Sequence, residues 1–246
     1  MATKVTVQRK VVKPPRARPT RPRAGLSRAR LVEMAMSIAD ATGIEALSMR
    51  RLAHELGVET MSLYHYFRGK NELLGAMLAA VYAEYELPSG EADWRADMRR
   101  SAVSAHAALL RHPWAPALQG QPTDVSRAQL SWMNALLGRL RSAGFSAEMT
   151  HHAYHAIESH IVGFTLWLLP ILAVSRSQPD LVERFADAVS QSALPHLIEH
   201  VDYHLADQRD TDTSEFEFGL DLLLDGLERL RGNQVRPANQ VRLNGG

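Results

Sequence analysis

Histidine is the residue type that offers this chain the most chemistry. His196, His200 and His204 recur at i, i+4 and i+8, and His151, His152 and His155 form a second group. Imidazoles one helical turn apart can chelate zinc or nickel. Three ligands spread over two turns, at about 1.5 Å rise per residue, reach too far for one ion without a partner segment. A solvated helix face is the expected reading, with no metal and no cofactor. His54-Glu55 opens a zinc-protease pattern, but Val58 stands where the second histidine is needed. There is no Gly-x-Ser-x-Gly elbow, no Walker loop and no Gly-x-Gly-x-x-Gly turn. The residues point to a protein that binds rather than one that catalyses.

What it binds is suggested by charge. The 246 residues carry a net charge of only +1. Residues 1–30 nevertheless hold ten Lys or Arg and no acid, which leaves the remainder at −9. A basic arm before an acidic body favours polyanion contact at one end. The arm can enter a minor groove or act as a tail adding salt-sensitive, sequence-blind affinity. It has neither the apolar stretch nor the cleavage site of a secretory signal. The chain contains no cysteine, which excludes disulfides and thiolate metal sites and fits a cytoplasmic setting. The longest apolar run, Ile161 to Val174, is short for a membrane span and contains Pro170.

The elements that would position such a contact are helical throughout. Leu31, Met34, Ala35, Ile38 and Ala39 recur at helical spacing, and Gly43 closes that helix. Ser48 suits the N-cap of a helix over Met49–Leu56, which Gly57 ends. A short helix is expected over about Glu59–Tyr66, with Glu59 as its cap. A longer one follows from Asn71 or its neighbour through Val81. Leu52, Ala53 and Leu56 face Val58 and Leu63 across the glycine turn, which is the helix-turn-helix pattern. Further helices are predicted near 92–110, 124–143, 147–169, 179–204 and 214–231, with a break at Pro170 and a loop over 206–213. The expected fold class is all-α. A basic arm (1–25) precedes a helix-turn-helix DNA-binding domain (26–88), a helical C-terminal domain (89–232) and a tail (233–246).

Leu47 to Phe67, followed by Gly69-Lys70-Asn71-Glu72-Leu73-Leu74, resembles the TetR family of transcriptional regulators, and the resemblance runs over about Ser27–Val81. His112-Pro113-Trp114, Gly144-Phe145 and Glu215 to Leu227 resemble the tetracycline-repressor-like C-terminal domain. The resemblance implies that Thr60, Met61, Ser62 and His65 face bases. It implies that Tyr64 and Lys70 touch phosphates, with Ser48 and Tyr66 as further backbone clamps. Phe67 is expected to be core. It further implies a homodimer on operator DNA, relieved by a small-molecule effector, with transcriptional activation or ligand sequestration as alternatives.

For a largely hydrophobic effector, the pocket candidates are Trp94, Met98, His106, Trp114, Leu118, Trp132, Leu136, Tyr154, Glu158, Phe164 and Trp167, because pockets are apolar with few polar anchors. For the dimer, Ile157, Ile161, Phe164 and Leu168 on one helix, with Phe218, Leu220, Leu224 and Leu227 on another, supply apolar stripes that a four-helix contact would bury.

Overall fold

The computed structural model describes residues 26–91, 93–119, 125–206 and 211–235. The arm and the tail from 236 onward lie outside them. Every regular element among the described residues is helical.

Helices α1 (Arg28–Thr42), α2 (Met49–Leu56), α3 (Thr60–Leu63) and α4 (Lys70–Ala83) form the N-terminal unit. Its local signals are met by backbone chemistry. The Ser27 and Ser48 hydroxyls accept from the amides of Arg30 and Arg51, capping α1 and α2. Gly57 ends α2 at φ 65°, in the left-handed region that a side chain disfavours. Leu31, Leu52, Leu63, Phe67 and Leu73 are fully buried between the helices. The reading helix is shorter than expected: α3 ends at Leu63, and Tyr64 to Tyr66 continue as a turn. Glu59 sits at the N-cap of α3, but its side chain makes no capping bond. Its carbonyl takes the Ser62 amide instead, at 2.9 Å.

The body comprises α5 (Trp94–Arg111), α6 (Ala115–Leu118), α7 (Arg127–Ser142), α8 (Ala147–Ser177), α9 (Pro179–Ser190), α10 (Pro195–Ala206) and α11 (Thr211–Val235). Helix α8 is its spine and packs against α5, α7, α9 and α11. A side chain at Gly219 would place its Cβ 2.6 Å from His160 Cε1, so glycine is what lets α11 approach α8. Asp97 pins the link between the two units. It is buried and accepts from the Ser89 hydroxyl (2.9 Å), the Gly90 amide (3.1 Å) and Arg139 Nε (2.6 Å). Burial opposes its charge, but the Arg139, Ser89 and Gly90 bonds outweigh that and hold the carboxyl below the ordinary carboxylate range.

Three sequence expectations change. Helix α8 runs through Pro170 to Ser177, where proline removes only one bond of the ladder and no residue of the helix beyond Leu168 is buried. The helix expected over 179–204 divides into α9 and α10 around Gln191–Leu194. Residues 211–213 already belong to α11, while 207–210 lie outside the described residues.

Candidate DNA interface and effector site

The helix-turn-helix presents a mixed outer face. Met61 is 71% exposed and Tyr64 45% exposed, and His65 and Ser48 are also exposed. Thr60, Ser62 and Lys70 are half-buried. The Ser48 hydroxyl oxygen accepts from Arg51, which leaves its proton free to donate. Lys70 opens α4 directly after Gly69, where unpaired amides and a cation together suit a phosphate. Arg68, Gly69, Lys70, Asn71 and Glu72 line one concave shelf there.

Tyr66 departs from its expected role. Its hydroxyl donates to the Leu26 carbonyl at 2.9 Å, so its proton is committed within the protein. Arg28 completes this tie. It donates to the Tyr66 carbonyl (2.6 Å) and Glu72 (2.9 Å) and lies over the Phe67 ring at 4.1 Å. The Arg68 amide and then Arg28 lower the Glu72 carboxyl below its ordinary range. Phe67 is core, as expected.

The pocket candidates fall into separate clusters. The first is an aromatic cage. Trp132 lies 6.5 Å from Tyr154, 5.4 Å from Tyr85 and 6.1 Å from Tyr82, between ring centroids. Trp132 Nε1 donates to the Ser101 hydroxyl at 3.1 Å, and Gln119 donates to the Tyr85 hydroxyl at 3.3 Å. The buried Tyr154 hydroxyl makes no hydrogen bond of ordinary geometry, and Glu158 is the acceptor beside it. Burial first, then the charge of half-buried Glu158, pushes the Tyr154 hydroxyl up and the Tyr82 hydroxyl up to about 12, so both stay neutral donors. Tyr82, Tyr85 and Ser101 were not anticipated. Tyr82 lies in the last turn of α4 and Tyr85 follows its C-cap, where the two rings meet at 5.0 Å between centroids.

His106 anchors a second cluster with Phe164. Its ring stacks on Phe216 at 4.0 Å between centroids, and His160 stacks on the other side of the group at 4.8 Å from Phe216. The Thr165 hydroxyl donates to the Ile161 carbonyl at 2.6 Å and therefore accepts from His106 Nδ1 at 2.7 Å. Nε2 is then a buried acceptor without a partner. Burial, followed by His160, lowers His106 to about 4.

The remaining candidates serve elsewhere. Trp94 packs edge-on to Phe145 at 5.0 Å and donates to Glu228 at 2.9 Å, joining α5 to α11. Trp114 donates to Asp40 of α1 at 2.6 Å. Met98, Leu118 and Leu136 are buried in the apolar core. Trp167 is 54% exposed and lies on the outer face of α8 rather than in a cavity of this subunit. The dimer stripe is likewise corrected. Ile157, Ile161, Leu168, Leu220, Leu224 and Leu227 are buried within the subunit, while Leu166, Trp167, Ile171, Phe218 and Leu222 form the exposed apolar side of α8 and α11. The His151, His152 and His155 rings lie near one another on exposed α8 surface.

Comparison with known proteins agrees with this division. Residues 31–77 match the bacterial regulatory proteins of the tetR family, and 87–231 match the tetracyclin repressor-like C-terminal domain. The chain is 36% identical to the HTH-type transcriptional repressor DrrR1 of Streptomyces coeruleorubidus, over 87% of this chain and 82% of that one. A possible TetR family regulator from Streptomyces coelicolor A3(2) superposes with a TM-score of 0.71 at 31% identity, covering 83% of this chain and all of that one, 100%. ActR of Streptomyces coelicolor, solved in complex with actinorhodin, superposes with a TM-score of 0.68 at 25% identity, over 85% and 100% of the two chains. The head that reads DNA and the helical body behind it identify this chain as a member of the TetR family, a DNA-binding transcriptional regulator and not an enzyme.

Proposed function

We propose that the protein is a cytoplasmic homodimeric repressor, released from its operator by a flat, largely hydrophobic molecule that enters the body at the Trp132 cage. The carrying observation is the cage itself. The Tyr82, Tyr85 and Trp132 rings cluster, Trp132 also meets the Tyr154 ring, and the buried Tyr154 hydroxyl makes no hydrogen bond of ordinary geometry beside the half-buried Glu158 carboxylate. A buried donor left unpaired costs about 1–3 kcal/mol, so a ligand acceptor reaching it is favoured. Tyr82 lies in the last turn of α4 and Tyr85 two residues beyond its end, and the first residue of α4 is Lys70 of the DNA face. A ligand that shifts these rings therefore acts on the helix that carries a phosphate contact. It must bind the released and operator-bound states unequally.

Thr60, Met61, Ser62 and His65 are assigned to base edges, and Ser48, Tyr64 and Lys70 to phosphates. The exposed apolar side of α8 and α11 supports dimerisation, because two-fold contacts bury such a face on both subunits at once. The two heads would then meet half-sites about 34–36 Å apart. Selection of tight binders from random duplex DNA tests this reading, run beside a Tyr64→Ala, Lys70→Ala double variant. A palindromic motif enriched by the wild type and weakened in the variant is expected. Weak, sequence-blind binding by both would overturn it and favour a ligand-sequestering protein.

A further inference from the structure

His112 sits where the body meets the head. It is the C-cap of α5, and it is 8% exposed. Its two ring nitrogens face carboxylates from different elements. Nδ1 lies 2.9 Å from Asp40 Oδ1 on α1, and Nε2 lies 3.0 Å from Glu84 Oε1 at the C-cap of α4. An ionised carboxylate only accepts hydrogen bonds, and a neutral imidazole has a single N–H. Both contacts are satisfied together only when the ring carries two protons and a positive charge. Trp114 Nε1 donates to the same Asp40 oxygen, and Arg111 donates to Glu84 Oε2 at 2.6 Å. Asp40, Glu84 and Arg111 are the charged groups that these contacts gather around the ring from α1, α4 and α5. Burial raises the Glu84 carboxyl, but the Arg111 and His112 bonds outweigh it and keep that group anionic.

This arrangement differs from an ordinary surface ion pair. Asp40 belongs to the head, His112 and Trp114 to the body, and Glu84 to the end of the helix that joins them. Removing one proton from the ring breaks one of the two carboxylate contacts and leaves two anions facing each other across a neutral group.

We propose that the His112 imidazolium is the joint that fixes the head on the body, so that a proton bound there favours the operator-competent arrangement and its loss loosens the head. His112 is thus a positioning residue, and the proton is a second input beside the organic effector. The inference rests on the regulator reading, with the clasped form taken as the one that holds operator.

The full-length protein tests it on the duplex enriched by selection. Operator affinity is measured across about pH 5–8, where imidazole charge changes, for wild type, His112→Gln and Asp40→Asn. Thermal melts confirm that each compared variant is folded. His65 on the DNA face is common to all three proteins, so its contribution cancels in their ratios. The expected result is a wild-type advantage over His112→Gln of about tenfold at the acid end that vanishes at the alkaline end, within the usual range of coupling. Asp40→Asn should reproduce it if His112→Gln melts too low to use. A ratio that stays constant with pH overturns the joint.

A second readout needs no operator. Long-range proton–nitrogen NMR of the histidine rings should show both His112 nitrogens protonated at the acid end, and a single neutral tautomer throughout overturns the proposal. If selection finds no operator, the regulator reading fails, while the ring spectrum still decides whether the joint exists.

Discussion

The head and the body use opposite strategies. The head buries a small, purely apolar core and satisfies its polar groups through backbone caps such as Ser48 and Ser27, which leaves its chemistry on the outside. The body buries polar side chains as well, among them Asp97, His106, Thr165 and Ser101. It also exposes large apolar ones on α8 and α11. A surface that must meet many operator phosphates needs a rigid, self-sufficient support. An interior that must accept a guest needs polar groups that the fold itself leaves incompletely paired.

That contrast can be broken from either side. The largest effect is expected at Asp97. Asp97→Ala breaks the ion pair to Arg139, whose side chain is 15% exposed, together with the bonds from Ser89 and Gly90, so stability should fall by about 3–5 kcal/mol. At about 2–4 °C per kcal/mol, thermal unfolding would show a loss near 10 °C. No single polar deletion in the head should match it.

A smaller effect concerns acid. His106 is lowered to about 4 when folded and has the ordinary imidazole value near 6.5 when unfolded. Between these values the unfolded chain binds the extra proton, so the stabilisation is complete above about pH 6.5 and is lost as pH falls toward 4. The melting temperature should decline over that window. His106→Phe, which keeps a flat ring against Phe216, should flatten the decline. An unchanged slope would mean that His106 is not the group responsible.

Capping comes next. Ser48→Ala should cost about 1 kcal/mol and should also weaken operator binding if the hydroxyl donates to phosphate. Ser48→Thr should restore both. The smallest effect is at the body surface, where Asp225 pairs with Arg95 and the two side chains are 52% and 37% exposed. Asp225→Ala should change stability by less than about 1 kcal/mol, read by urea denaturation.

The same contrast governs how much could be read in advance. The head was legible because its signals are local. Ser48 caps, Gly57 turns, and the spacing of Leu52, Ala53 and Leu63 is met within a few residues. The body was legible as helices but not as a site. Periodicity finds an apolar stripe on α8, yet it cannot say whether Ile157 and Ile161 face this subunit or another. Pro170 is a strong local stop, yet the helix continues past it to Ser177. Trp132 and Trp167 look equivalent in composition, although one is enclosed and the other exposed. His112 carried only a family resemblance, because its meaning depends on Asp40 and Glu84, which are distant in sequence.

Helix α8 is 31 residues long and so extends about 46 Å at 1.5 Å per residue. Pro170 has no amide hydrogen, so the carbonyl four residues earlier, at Leu166, has no partner in the helix ladder there. No residue of α8 after Leu168 is buried in the subunit. The helix is therefore one rod in shape but two units in energy. Its first part is welded to the core, and its last part can open without disturbing the rest. In amide exchange the segment beyond Pro170 should lose its protection through local opening, long before the turns around Ile157 and Ile161 do.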